Sequence, residues 1–234
     1  MAAAKKRSAD KIQLIRNLIL GFLGLLVLGF VTTTVYFGSG LSQNSVPQAG
    51  TDYEIIDGVE LTKPARSLIV EEYFSYGCIH CKNFDPELEE WLTTLPDDVR
   101  FERKPTAFSR TWSILAQAYY ALEKAEALEG NHEQLFKGIH NGGRMFNSGQ
   151  DIADYLDSQS LPAREFMRAF DSQDVSRRLN RAAEDTRRTG IRAVPTMVVS
   201  GKYRVGMNQG AQRALEVAKY LLEQERALIQ GQSG

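Results

Sequence analysis

The chain has 234 residues, a formal net charge of −1 and a hydrophobic content of 43%. About 180 residues remain once the first fifty are set aside, which suits one domain or one domain with a sizeable insertion. The near-neutral charge gives no electrostatic case for binding nucleic acid.

The first long apolar segment runs over residues 18–37 and carries no charged side chain. It is about as long as a helix that crosses a hydrocarbon core of about 30 Å. The basic residues before it outnumber the single acid, Asp10; they are Lys5, Lys6, Arg7, Lys11 and Arg16. Because positive flanks stay in the cytoplasm, residues 1–17 are predicted to be a cytoplasmic tail and the rest of the chain to be exported.

A cleaved signal peptide and a buried core helix are the alternatives for this segment. The apolar part of a signal is usually about 7–15 residues long and ends in a small-residue cleavage site. Here the run is longer, and the following FGSGLSQ is a poor site. The basic flank disfavours a soluble core helix. We therefore expect an uncleaved, single-pass anchor in the inner membrane, followed by a polar linker over residues 38–52.

The exported part is predicted to start with a strand, a helix and a strand in residues 53–107. SLIVEEYFS, at 67–75, is rich in apolar and aromatic residues, which indicates a buried central strand. A helix is expected from the cysteine motif to Pro96, with a kink at Pro86. VRFERKPT, at 99–106, fits a second strand.

Residues 108–188 are predicted to be entirely helical and to form an insertion. WSILAQAYYALEKAEALEG shows apolar i, i+3, i+4 spacing and is expected to form one helix that ends at Gly130. The further helical segments are HEQLFKGIHNGG, DIADYLDSQ, AREFMRAF and VSRRLNRAAEDTRRTG. No convincing strand is found between Phe108 and Gly190.

The last part, residues 189–230, returns to strands. VPTMVVSGKYRV contains two β-rich runs that meet at Ser200-Gly201, a plausible tight hairpin turn. An amphipathic helix then closes the chain. This order predicts an α/β fold in which a right-handed parallel βαβ unit and an antiparallel hairpin share one mixed sheet, flanked by helices and interrupted by the all-helical insertion.

Cys78 and Cys81 are the only cysteines in the chain. An exported chain can form a disulfide, but a bridge that closes so small a loop removes little chain entropy and stabilises little. Zinc would need two further ligands, and His132 and His140, which we expect on helix surfaces, have no matching cluster. No metal and no other cofactor is therefore expected.

Redox exchange fits the cysteine pair better. A strand, a glycine and then Cys78 at the start of a helix place this sulfur where unpaired N–H groups and the helix dipole favour negative charge. They should lower the pKa of Cys78. Cys81 lies one turn on, within disulfide reach but more buried. His80, if charged or donating a hydrogen bond, stabilises the thiolate further, and the disulfide then becomes the stronger oxidant.

Pro195 follows Val194 in RAVPTMVV. A proline at the start of a strand is common and needs no special role. A cis bond would instead hold this loop beside the cysteines and leave the backbone of Val194 free to pair with an extended substrate strand. The residues alone leave both interpretations open.

Four stretches resemble the thioredoxin superfamily, specifically the DsbA-type periplasmic disulfide oxidoreductases: EEYFSYGCIHCKNFDPELEEW, AYYALE, QLFKGIH and GIRAVPTMVVSGKYRV. The resemblance extends over Ile69 to Leu222, nearly the whole exported part. The resemblance implies a thioredoxin fold with a helical insertion. It also implies an attacking Cys78, a resolving Cys81, a thiolate-tuning His80 and a cis peptide at Val194–Pro195.

In this family, charged groups lie beneath the active-site disulfide, at positions that correspond here to Glu72, Asp85 and Arg103. Glu72 is expected to relay protons to and from Cys81, since its apolar neighbours favour burial over a solvated strand position. Asp85 and Arg103 are expected to be surface charges. Ile79 replaces the family's most frequent residue, proline, which removes a preset φ and places an apolar side chain where substrate arrives.

The predicted function is an oxidase that donates the Cys78–Cys81 disulfide to reduced exported proteins. The sequence has no dinucleotide fingerprint and no second cysteine pair, so another protein has to accept the electrons. The resemblance implies a quinone-linked membrane oxidase of the DsbB type. We expect a monomer. A reductase or isomerase remains an alternative, although 51–66 is too short for an isomerase's dimerisation domain; a membrane-tethered chaperone with incidental cysteines is another.

Overall fold

The computed structural model describes residues 2–38, 45–157 and 160–231. The chain divides into two units, with the boundary between Val46 and Pro47. The first unit contains helix α1, Ala2–Gly38. Its stretch Ile15–Val35 has a mean hydropathy of 2.3 and is long and apolar enough to cross a membrane, as a signal sequence also can be. This agrees with the apolar helix predicted over 18–37.

The hydroxyl groups of three consecutive threonines in this helix are bonded within the helix itself. Thr32 and Thr33 donate to the carbonyl of Gly29 at 3.0 and 2.7 Å. Thr34 donates to the carbonyl of Phe30 at 2.6 Å. Polar side chains with such partners are compatible with a hydrocarbon environment.

The second unit is built on a five-stranded sheet in the order β1-β5-β4-β2-β3. The strands are β1 Glu54–Ile55, β2 Leu68–Phe74, β3 Val99–Pro105, β4 Thr196–Val199 and β5 Tyr203–Gly206. Strands β2 and β3 run parallel, and the other pairs are antiparallel. The predicted mixed sheet is therefore confirmed. The two-residue strand β1 was not predicted.

Helices pack against the sheet, and five of those that the structure describes make up the long segment between β3 and β4. They are α2 Ile79–Leu92, α3 Arg110–Lys124, α4 Leu128–His140, α5 Gly149–Asp157, α6 Ala163–Phe170, α7 Gln173–Arg188 and α8 Ala211–Gly231. Among the described residues between 108 and 190 there is no strand, which agrees with the predicted helical insertion.

The prediction of one helix up to Gly130 is wrong. Helix α3 ends at Lys124, and Glu126 takes a positive φ of 54°. The amide of Ala127 returns to the carbonyl of Leu122 at 2.9 Å, which closes the helix end with a left-handed residue. Gly130, with a φ of 78°, lies instead at a kink near the start of α4.

The predicted hairpin turn is confirmed. Ser200 and Gly201 have φ values of 52° and 67°. The amide of Lys202 donates to the carbonyl of Val199 at 3.0 Å. Two central residues with positive φ are typical of the type I′ turn, whose twist matches that of the adjoining strands.

The hydrophobic core contains two large clusters of buried side chains. One joins β2 and the cysteine motif to the helical insertion, with Phe74 against Tyr76 at 5.3 Å between ring centroids. The other packs the sheet against α2 and α8. The cysteine pair therefore lies where the insertion meets the sheet.

Two buried ion pairs involve the last helix of this unit. Asp52 accepts from Arg213 at 2.8 Å, so the end of the predicted linker is held against α8; residues 39–44 of that linker lie outside the described part of the chain. Glu225 is fully buried and pairs with Lys202 at 2.7 Å. Its carboxylate also accepts from the amide of Ala65 at 3.0 Å.

Candidate active site

The cysteine motif is placed by the turn between β2 and α2. The amide of Cys78 donates to the carbonyl of Ser75 at 3.0 Å, and the amide of Gly77 donates to the Ser75 hydroxyl at 3.1 Å. Cys78 is the N-cap residue of α2. Both cysteines are free thiols; Cys78 keeps 8% of its surface exposed, and Cys81 none.

The two sulfurs differ strongly in acidity. The hydrogen bond from the Cys81 thiol is the main cause that lowers the pKa of Cys78 to about 6, against the opposing effect of burial. The backbone amides of Cys81 and His80 and the field of the His80 ring add to this lowering. Burial raises the pKa of Cys81, and its contact with Cys78 raises it further. The lowered pKa of Cys78 agrees with the direction predicted from the helix start.

Gly77 lies directly against an aromatic ring of the insertion. A Cβ atom at this position would lie 2.5 Å from the indole nitrogen of Trp112, so only glycine leaves room. Trp112 stacks on Phe108, with 5.8 Å between ring centroids and an angle of 26°. The turn that carries Cys78 is therefore packed against the beginning of α3.

The loop before β4 lies beside the first sulfur. The Val194–Pro195 peptide is cis, as the resemblance implied. The Cys78 thiol donates to the carbonyl of Val194 at 3.5 Å. Ile79 is 43% exposed, and His80 is exposed as well. The structure thus brings Cys78 and Val194 together, although 116 positions separate them in sequence.

Charged groups lie beneath the cysteines, around Arg103. Its guanidinium donates to Glu72 at 3.0 Å, to Asp85 at 2.9 Å and to Glu89 at 2.6 Å. The prediction that Asp85 and Arg103 are surface charges is wrong, since their side chains are only 12% and 11% exposed. In the parallel register of β2 and β3, Glu72 faces Arg103, and a buried carboxylate needs such a cation.

Glu72 is a buried carboxylate with a raised pKa. Its side chain is 2% exposed, in agreement with the predicted burial. Burial raises the pKa of Glu72 to about 7; Arg103 opposes this rise and Asp85 adds to it. The charge of Glu72 also contributes to the raised pKa of Cys81. Glu72 is therefore electrostatically coupled to the buried sulfur.

The two histidines of α4 also lie at this site, and their prediction as surface residues is wrong for His132. The His132 ring is buried, with Nδ1 2.9 Å from the Tyr76 hydroxyl and Nε2 3.1 Å from the Asp85 carboxylate. His140 is half-buried, and its Nε2 donates to the carbonyl of Tyr76 at 2.8 Å. Nothing in their sequence spacing indicates these partners.

Two sulfurs of unequal acidity, one turn apart at the start of a helix, are suited to thiol–disulfide exchange. Over the described residues no group of three or more histidine, cysteine or acidic side chains is arranged to hold a metal ion. The class of protein that this fold and this site define is a thiol:disulfide oxidoreductase with a thioredoxin fold.

The particular family follows from the comparison of the whole chain with known proteins. The family model described as the DSBA-like thioredoxin domain matches residues 69–222, so the chain belongs to the DsbA-like thioredoxin-domain family. The chain is 33% identical over 210 residues to the thiol:disulfide interchange protein DsbA of Azotobacter vinelandii, over 86% of this chain and 98% of that one. The DsbA of Pseudomonas aeruginosa is 32% identical over 182 residues.

Solved structures show the same architecture. The crystal structure of Pseudomonas aeruginosa DsbA superposes with a TM-score of 0.73 at 30% identity and covers 79% of this chain and 97% of that one. The DsbA of Xylella fastidiosa gives a TM-score of 0.72 at 29% identity, over 78% of this chain and the whole of that one. The predicted thioredoxin fold with a helical insertion is confirmed.

Proposed function

We propose that Cys78 is the attacked sulfur and Cys81 the leaving sulfur in an oxidase of reduced exported proteins. A client thiolate attacks Cys78, the Cys78–Cys81 bond breaks, and Cys81 leaves as a thiolate that takes up a proton. A second client thiolate then attacks the client sulfur of the mixed disulfide and releases the Cys78 thiolate. The client gains a disulfide, and the pair takes up the two electrons.

The observation that carries this direction is the position of Cys78 at the N-cap of α2, with its pKa lowered to about 6. A stabilised thiolate is a better leaving group and favours the reduced pair, so the disulfide is a strong oxidant. A reductase with the same motif would need a less stabilised Cys78 thiolate, so that its own disulfide form is favoured.

Glu72 is the proton donor and acceptor for Cys81 in this mechanism. When the Cys78–Cys81 bond breaks, the buried Cys81 thiolate needs a proton, because burial disfavours its charge. Glu72 has a pKa of about 7 and so holds a proton in part of the molecules at neutral pH. During reoxidation the same carboxylate takes the proton back.

The client binds at the exposed side of the cysteine motif. Val194 offers its backbone to an extended client segment, next to Pro195 and within contact of Cys78. Ile79 supplies exposed apolar surface at the same place. His80 is exposed there and stabilises the thiolate that is released.

The apolar helix is proposed to remain as an anchor in the inner membrane, with the folded unit in the periplasm. Reoxidation is assigned to a DsbB-type quinone-linked membrane oxidase. Two proteins that are confined to one membrane meet at a raised effective concentration. The length of Ile15–Val35 and the basic residues before it support an anchor.

Alkylation of free thiols in intact cells tests the direction of electron flow. Cys78 and Cys81 should resist the reagent, because an oxidase rests in its disulfide form. They should react with it after the electron acceptor has been removed. A pair that is reduced at rest would show a reductase or isomerase.

In the Cys78→Ser variant, client oxidation should be lost completely; a variant that still oxidises a reduced client would overturn the mechanism.

The fate of the anchor can be measured on the purified protein. The mass of the intact chain should include residues 1–37, and the protein should stay with the membrane fraction after an alkaline wash. A mass that lacks this segment, together with a soluble protein, would show a cleaved signal instead.

A further inference from the structure

His132 links the helical insertion to the charged groups beneath the cysteine pair. It is 9% exposed and lies on α4, and both of its ring nitrogens have a partner. The partners belong to other elements: Tyr76 to the turn after β2, and Asp85 to α2. Phe74 and Phe136 pack against the same ring at 5.5 and 5.2 Å between centroids.

These partners define one arrangement of hydrogens on the ring. The Asp85 carboxylate is an acceptor only, so Nε2 carries the hydrogen and donates it. Burial lowers the pKa of His132, which keeps the ring neutral at neutral pH and leaves Nδ1 as an acceptor for the Tyr76 hydroxyl. The donors therefore run in one direction, from Tyr76 through His132 to Asp85.

The same carboxylate oxygen serves two donors. Asp85 Oδ1 accepts from His132 Nε2 at 3.1 Å and from Arg103 Nη2 at 2.9 Å. The Nε of Arg103 donates in turn to Glu72 at 3.0 Å. Asp85 and Glu72 therefore share one guanidinium. A second donor to Asp85 weakens the interaction of Asp85 with Arg103, which leaves more of the positive charge for Glu72.

Other polar groups around the His132 ring are few, in the part of the chain that is described. The charges of Arg103 on β3 and of Glu89 on α2 both act on the His132 ring, and Glu89 also accepts from Arg103. The Tyr119 ring of α3 lies 6.3 Å from the His132 ring. These groups belong to the same guanidinium, act on it or are uncharged, so Asp85 is the route from His132 to Glu72.

We propose that His132 is a positioning residue: by donating to Asp85 it leaves more of the Arg103 charge to Glu72, and so sets the protonation of Glu72 beside the cysteine pair. The helical insertion then contributes a side chain, His132, that influences the chemistry of the cysteine pair between β2 and α2. The effect of Glu72 protonation on thiol–disulfide exchange rests on the proposed proton relay between Glu72 and Cys81.

The test follows the titration of Glu72 in the reduced, full-length protein by infrared spectroscopy. The carboxyl band that the Glu72→Gln variant lacks identifies the group. In His132→Leu, Asp85 loses a donor and holds Arg103 more strongly, so the midpoint of Glu72 should rise by about half a pH unit. In His132→Gln the midpoint should stay, since the amide can still donate from the place of Nε2.

A matched control lies on the same helix. His140→Leu removes a histidine that contacts Tyr76 but not Asp85, and it should leave the Glu72 midpoint unchanged. The side chain of His132→Asn is too short to reach Asp85, so this variant should raise the Glu72 midpoint as His132→Leu does. It replaces His132→Leu in the test where the apolar change prevents folding. Unchanged midpoints in these two His132 variants would overturn the proposal.

The Asp85→Asn background tests the route. Without the Asp85 charge, Glu72 should titrate at lower pH, and His132→Leu should then have no further effect. A further shift in that background would mean that His132 does not act through Asp85, which also overturns the proposal. A midpoint that moves while the pH profile of client oxidation does not would instead remove Glu72 from the relay and leave the role of His132 intact.

Discussion

At the scale of single residues, the two cysteines share a helical turn but not an environment. Cys78 is at the helix start, where amides and a neighbouring thiol stabilise its negative charge. Cys81 is enclosed by the core, and burial together with the charge of Glu72 disfavours a negative charge on its sulfur. One sulfur is therefore an anion at neutral pH while the other holds its proton.

This asymmetry gives the reduced protein a stability that depends on pH. The pKa of Cys78 is about 6 in the fold and 9.0 for an unperturbed thiol, so the unfolded chain binds more protons between these values. The stabilisation is fully present above pH 9 and is lost as pH falls through 6, at up to about 1.4 kcal/mol per pH unit. Urea unfolding of reduced wild type should therefore gain stability over reduced Cys78→Ser as pH rises from 6 to 9. Equal slopes would contradict the lowered pKa.

Local sequence patterns predict that Cys78 lies at a helix start and that Glu72 is buried. The cis peptide at Val194–Pro195 follows only from the family resemblance. The sequence does not predict that Asp85 and Arg103 are buried or that His132 joins them. A charged residue is buried only where a partner from another element reaches it, and such partners are set by strand register and helix packing. For Arg103 there was a usable signal: a buried Glu72 needs a cation, and the adjacent parallel strand contains one.

At the scale of elements, the turn between β2 and α2 depends on a close approach. Gly77→Ala should destabilise the protein by about 1–3 kcal/mol, because the added methyl group meets the Trp112 ring and has to displace it. Urea denaturation with tryptophan fluorescence measures this. Gly206→Ala is the control, since the nearest atom to its Cβ, Asn208 Oδ1, is 4.0 Å away. Equal losses in both variants would show that the contact with Trp112 is not the cause.

The order of the elements was predictable, whereas some of their ends were not. Ala125, Glu126 and Ala127 favour a helix by composition. The chain nevertheless turns there, because Glu126 takes a left-handed conformation that ends α3. Strand β1 has only two residues, which is too few for a periodic pattern. Its pairing with β5 depends on the fold as a whole.

The buried pair of β5 and α8 should show strong coupling. Lys202→Met leaves Glu225 with one fewer donor and an uncompensated charge, at a cost of about 3–5 kcal/mol. Lys202→Met combined with Glu225→Leu should cost less than the sum of the two single changes, because no unpaired charge remains. A double-mutant cycle by urea denaturation measures the coupling; additive effects would show that the pair is not isolated from solvent.

At the scale of the whole molecule, the proposed membrane anchor is expected to speed reoxidation of the cysteine pair and to leave the exchange reaction with clients unchanged. Replacing residues 1–37 with a cleavable signal should leave the exchange rate with a soluble client unchanged and slow reoxidation by the membrane partner on the order of tenfold or more, since the two proteins no longer share one plane. The fraction of trapped disulfide in cells is the measure. An unrelated single-pass helix should restore reoxidation. Failure to do so would indicate that this helix itself contacts the partner.

The complete burial of Cys81 also has a consequence for exposure to peroxide. Hydrogen peroxide has access to Cys78 alone, whose thiolate is converted to a sulfenic acid as one oxygen is transferred and water or hydroxide is released. The neighbouring Cys81 thiol then condenses with that sulfenic acid, expels a water molecule and forms the same disulfide that exchange uses. An oxidant that inactivates many exposed thiols would thus return this pair to its working state.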